Sequence, residues 1–160
     1  MILISACLLG KNCKYSGGNN KNPGLISLLK DKSVISVCPE ELGGLPTPRL
    51  PAEISGGTGI DVIHGKAKVC FRDGTDVTRN FIKGAIETQK YIQFYPVKLA
   101  IMKEGSPSCG VNRIYDGSFK GISHSGSGVT TALLKDSGIK VISEETPLTG
   151  DILALIAESE

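Results

Sequence analysis

Four short runs constrain this chain more than any other feature: "ILISAC" (Ile2 to Cys7), "VISVC" (Val34 to Cys38), "VKLAIM" (Val97 to Met102) and "IKVIS" (Ile139 to Ser143). Each is rich in branched apolar residues and runs into a polar segment. A strand that is apolar on both faces must be covered on both sides, the situation inside a parallel sheet. Helical patterns lie between the runs. "NPGLISLLKDK" carries Pro23 near its first turn, and "DVTRNFIKGAIETQKYIQFY" begins at Asp76, a good N-cap, with Val77, Phe81, Ala85 and Ile92 at helical spacing. "GSGVTTALLKDSG" ends at Gly138, and "TPLTGDILALIAESE" reads as a short closing helix. The alternation predicts an α/β fold, a three-layer Rossmann-like domain with a mostly parallel sheet. "IDVIHGKAKVCF" departs from it and reads as two strands about the turn "HG", a small inserted hairpin. No repeat or linker divides the chain, so residues 1–160 are expected to form a single domain.

Charge narrows the partners. A net charge of +2, evenly spread, gives no footprint for nucleic acid or an anionic membrane. No apolar run reaches the ~18 residues of a membrane span. The start "MILISACLLG" lacks a basic region and a small-residue cleavage pattern, so it is expected to be a buried first strand of a cytoplasmic protein. With no secretion signal, an odd count of five cysteines argues against a disulfide framework.

The cysteines fall in a pattern. Cys7 closes the first strand, Cys38 closes the second, and Cys109 follows the third by a few residues. In a parallel sheet all three lie at the carboxyl edge, where open α/β sheets bind ligands. Thiolates gathered at one point suit zinc or an iron–sulfur cluster. Against this, free cysteine is often simply buried, and no C-x-x-C pair is present. Cys70, inside "AKVCF", is expected to pack in the core. Cys13, beside Lys11 and Lys14, has three open readings: a fourth ligand, a resolving thiol or a loop residue. The segments around these thiols, "CPEELGGLPTPRLPAEISGG" and "GSPSCGVN", are Gly- and Pro-rich in the manner of functional loops.

Together, "SACLLGKNCKYSG", "VCPEELGGLPTPRLPAEI" and "KEGSPSCG" resemble the signatures of the thiouracil desulfidases, a bacterial and archaeal family first catalogued as a domain of unknown function. The resemblance runs in order from residue 1 to about residue 145. It implies a 4Fe-4S cluster held by Cys7, Cys38 and Cys109, with one iron left open. It also implies hydrolytic removal of sulfur from a small thiolated pyrimidine or related thioamide, giving the oxo compound and hydrosulfide. Cys13 matches a cysteine of the first motif and is not assigned as a ligand.

Water addition needs a base, and a departing sulfur benefits from an acid. Glu40, two residues past Cys38, is the candidate, with Glu41 behind it; the competing reading makes Glu40 only a helix cap. Ser106 is the second catalytic candidate, and Ser108 and Glu41 are candidates for substrate binding. Arg49 is expected to pair with Glu53 or Glu40. "SHSGSGVTT" reads as a pocket wall or a helix start, and His64 and His124 as solvent-facing. Two alternatives stay open: a cluster- or metal-binding sensor with the same three cysteines, and a metal-free enzyme using Cys13 or Cys109 as nucleophile.

Overall fold

The computed structural model describes residues 1–159. In chain order the first half comprises β1 (Ile2–Ser5), α1 (Pro23–Leu28), β2 (Val34–Val37), α2 (Pro39–Leu42), β3 (Ala52–Ser55), α3 (Gly59–Ile63) and β4 (Lys68–Phe71). The second half comprises α4 (Thr78–Phe94), β5 (Leu99–Met102), β6 (Arg113–Tyr115), β7 (Ser123–Ser125), α5 (Val129–Asp136), β8 (Lys140–Ser143) and α6 (Gly150–Ala157). The four apolar runs become the central sheet, all parallel, in the order β2-β1-β5-β8.

Alternation along these strands builds two cores. Ile2, Ile4, Leu99 and Ile101 meet Leu25 and Leu29 from the α1 side and Ile152 and Ile156 of α6. Leu3, Ala100 and Met102 face the opposite way, toward Leu134 of α5 and Tyr91 and Ile92 of α4. The result is three layers, as expected of strands apolar on both faces. A further core, centred on Phe81, joins α4 to Ile54, Val62, Val69 and Ile114. No helix among the described residues is long and apolar enough to cross a membrane.

The chain leaves β1 through α1 to reach β2 on one side, and leaves β5 through α5 to reach β8 on the other. Because α1 and α5 cover opposite faces, the loops after β1 and β5 part at the carboxyl edge and leave a crevice.

The inserted hairpin differs from the expected one. Gly59–Ile63 is helical, and the two antiparallel strands are β3 and β4, with α3 as their connection. The cause is local: the Asp61 carboxylate accepts the Thr58 N–H at 2.8 Å, a capping-box contact that starts a helix where alternation suggested a strand. "HG" ends that helix, with His64 as its exposed C-cap and Gly65 at φ 73°. Helix α4 begins two residues after Asp76, whose Oδ1 instead accepts the Thr78 N–H at 2.9 Å. Cys70 is half-buried and stands opposite Glu53, so it is not a core thiol; its neighbour Val69 fills the core instead. The ribbon of β6 and β7 was not anticipated, because three-residue strands carry too little pattern to read.

Candidate active site

Each of the three strand-end cysteines is placed by a different local device. Cys7 lies in a 3₁₀ turn (Ala6–Leu9) directly after β1, closed by Gly10 at φ 95°. Cys38 is the N-cap of α2, where Pro39 occupies the first helical position and forces the strand to end. Cys109 sits in the loop after β5, its N–H donating to Ser106 Oγ at 3.1 Å and its carbonyl accepting from Thr131 Oγ1 at 2.8 Å. All three, together with Cys13, line one cavity of about 510 Å³ at the carboxyl edge of the sheet.

Cys13 is buried, and its thiol interacts with both Cys7 and Cys38. The hydrogen bond to Cys13 draws Cys7 down to about 7 against the opposing effect of burial, with Asn20 and Lys103 assisting. Cys38 is lowered for the same first reason, and Cys13 is raised in turn by its bonds to the other two. Burial pushes Cys109 up to about 12, against its contacts with Ser5 and Ser108. Among the described residues no three His, Cys, Asp or Glu side chains close on a single metal ion.

A line of hydrogen bonds runs beside them. Arg49 Nε donates to Glu40 Oε1 at 3.0 Å, and Ser108 Oγ donates to Glu40 Oε2 at 3.0 Å. Ser108 Oγ also lies 3.0 Å from Ser106 Oγ. Ser106 Oγ already accepts the N–H groups of Ser108 and Cys109, so its own proton points along the line toward Ser108. Glu40 therefore binds two side chains rather than capping α2. Arg49 pairs with Glu40, one of its two expected partners, and its Nη2 also donates to the Cys13 carbonyl at 2.8 Å.

The expected residues do not all meet. Glu40, Ser106, Ser108 and the three cysteines share the cavity wall, but Glu41 turns away to Lys11 at 2.8 Å and Thr47 Oγ1 at 2.9 Å. Ser108 is buried and gives its proton to Glu40, which leaves Ser106 as the more accessible hydroxyl. The glycines of "SHSGSGVTT" serve close packing: a Cβ on Gly128 would lie 2.5 Å from the Ser108 carbonyl carbon.

Other wall residues were not singled out from sequence. Glu104 is buried and accepts the N–H groups of Val111, Asn112 and Arg113, which folds the Cys109 loop back on itself. Arg72, Tyr115 and Phe119 also line the cavity. Glu104 sits inside the quoted "KEGSPSCG", whereas nothing in the sequence pattern marked Phe119.

The chain is thus a three-layer α/β domain whose switch-point crevice is lined by thiols, with a carboxylate–hydroxyl line beside them. The chain belongs to the 2-thiouracil desulfurase family, whose model matches residues 2–146. It is 48% identical over 144 residues to the uncharacterized protein YbbK of Bacillus subtilis (strain 168), covering 90% of this chain and 95% of that protein. It is similar in structure to the [4Fe-4S]-dependent thiouracil desulfidase TudS, with a TM-score of 0.82 and 39% identity over 98% of this chain and 97% of that one.

Proposed function

We propose that this protein is an iron–sulfur-dependent desulfidase acting on a small thiolated pyrimidine such as 2-thiouracil or a related thioamide. Water and the thiocarbonyl compound give the oxo compound and hydrosulfide, with no net oxidation or reduction. Family membership and the likeness to TudS support the reaction class. One observation of this chain carries the assignment further: the line Arg49–Glu40–Ser108–Ser106 ends in the cavity that Cys7, Cys38 and Cys109 also line.

The donor set suits a 4Fe-4S group held by Cys7, Cys38 and Cys109. Iron–sulfur clusters take thiolates, and Cys7, Cys38 and Cys109 line the same cavity. Cys7 is lowered toward neutral pH, and a bound metal would deprotonate the buried Cys109. Bound there with one iron free of protein ligands, the group supplies a sulfur-seeking Lewis acid for the thiocarbonyl.

The chain's own residues handle the proton. Ser106 contacts the incoming water, its oxygen fixed by two backbone N–H groups. The water's proton goes to Ser106 Oγ as Ser106 gives its own to Ser108 and Ser108 gives its own to Glu40 Oε2, and Arg49 holds the carboxylate in line from its other oxygen. Glu41 has no part in this line; it fixes the segment carrying Thr47 and ties it to Lys11.

Anaerobic reconstitution with iron and sulfide, followed by a sulfide-release assay on 2-thiouracil, tests the reading. About four irons per chain and turnover are expected, both lost in Cys7→Ala, Cys38→Ala and Cys109→Ala. Glu40→Gln is expected to keep the iron and lose roughly 10²- to 10⁴-fold in kcat. A full iron complement with no sulfide from wild type would reject catalysis and leave the sensor.

A further inference from the structure

The cavity that the thiols line also carries a constrained aromatic residue. Phe119 has φ 58°, and among the described residues it is the one non-glycine residue on the positive side. Backbone strain of this kind persists only where the surroundings impose it, and it clusters at ligand sites. The surroundings here are specific. The Glu53 carboxylate, buried at 9% exposure, accepts the N–H of Gly117 at 3.0 Å and of Phe119 at 3.1 Å through the same oxygen. Gly117, at φ 91°, is pressed so close to β3 that a Cβ would lie 2.9 Å from the Ile54 carbonyl oxygen. The 116–122 loop joining β6 to β7 is thus fastened to β3, and Phe119 is set into the cavity wall.

The ring is not there to fill the core. Phe119 is only half-buried and belongs to none of the three apolar clusters. The Arg72 guanidinium stands 5.8 Å from its centroid, and Arg72 has no carboxylate partner among the described residues. The cation and the ring both line the cavity. An aromatic ring on a ligand wall, beside a guanidinium on the same wall, suits stacking of a planar ring.

We infer that Phe119, paired with Arg72 and locked by Glu53, is the platform on which the planar ring of the substrate lies, so that it selects flat heteroaromatic thiocarbonyls over puckered ones. The inference rests on the desulfidase reading for the identity of the ring. Phe119 holds the ring in the cavity and takes no part in proton transfer, so its loss acts on binding.

The test compares uracil with dihydrouracil, which has the same polar groups on a puckered ring, by ligand-observed NMR titration of the reconstituted protein. Wild type is expected to prefer uracil, and Phe119→Leu, which keeps the apolar bulk, to weaken uracil roughly tenfold and erase the preference. Phe119→Tyr is expected to restore both. In turnover, Phe119→Leu raises KM for 2-thiouracil about tenfold with kcat within about twofold. Uracil affinity and preference unchanged within about twofold in Phe119→Leu would overturn the inference, as would a fall in kcat alone. If wild type releases no sulfide, the desulfidase reading fails; if it releases sulfide but binds uracil and dihydrouracil alike, the platform inference alone is overturned.

Discussion

Arg49 shows how much one side chain does in this cavity. Its guanidinium reaches Glu40, the Pro46 carbonyl, Thr47 Oγ1 and the Cys13 carbonyl, all between 2.8 and 3.1 Å, while only 3% of the side chain is exposed. Removing one partner of a buried ion pair leaves the other desolvated and uncompensated. Arg49→Ala is expected to cost about 3 kcal/mol, which in a chain of this size lowers the thermal midpoint by about 10 °C in calorimetry. Lysine recovers little of this, because an ammonium cannot reproduce a planar fork with several directed donors. A shift under about 2 °C in Arg49→Ala would mean that water replaces the guanidinium without loss. At this scale the sequence was partly readable. The pairing of Arg49 with Glu40 follows from opposite charges nine residues apart around prolines. The bond to the Cys13 carbonyl does not, since a main-chain acceptor leaves no trace in side-chain pattern.

The elements that present Cys38 and Glu40 depend on two glycines. Helix α2 has four residues and little stability of its own. It lies against α4 so closely that a Cβ on Gly84 would stand 2.0 Å from the Pro39 carbonyl oxygen, and one on Gly43 would stand 2.1 Å from the Asn80 carbonyl oxygen. Helix propensity alone says that Gly84→Ala stabilises α4 by about 1 kcal/mol. The overlap says the opposite, with a cost of about 1–3 kcal/mol for forced backbone movement. Packing wins, because the atom met is backbone that cannot swing aside. Gly84→Ala should lower the urea midpoint and also the iron bound per chain on reconstitution, since α2 moves with Cys38 at its cap. A raised midpoint would show that α2 is free to shift. The strands of the central sheet and the helices α1, α5 and α6 were legible because periodicity and end signals agreed. The mistaken hairpin strand was not, because apolar alternation and a capping box compete over five residues and the cap prevails there.

Over the whole molecule the sheet, the thiol cavity and the β6–β7 ribbon are joined through Glu104. The sheet supplies the crevice by its topology, which the run of both-face strands already implied. How the Cys109 loop is held there was not implied, because it depends on one buried carboxylate bonding three backbone N–H groups. Burial alone raises the Glu104 carboxyl, but the N–H groups of Asn112, Val111 and Arg113 and the Asn112 amide outweigh it and bring it from 4.5 to about 2. A carboxylate depressed on folding adds stability above its unfolded value and loses it as pH falls through the folded one. The contribution here is therefore complete above about pH 5 and disappears between about pH 4.5 and 2, amounting to about 3 kcal/mol. Glu104→Gln removes most of it, since a neutral amide offers one acceptor oxygen and turns a donor toward other donors. Urea unfolding of both proteins should show a gap of about 3 kcal/mol near pH 7 that narrows steadily below about pH 4. A gap independent of pH would mean that Glu104 acts through shape alone. A gap that closes places the acid sensitivity of the fold at the residue that shapes the Cys109 loop, so the thiol wall is expected to come apart in acid before the sheet does.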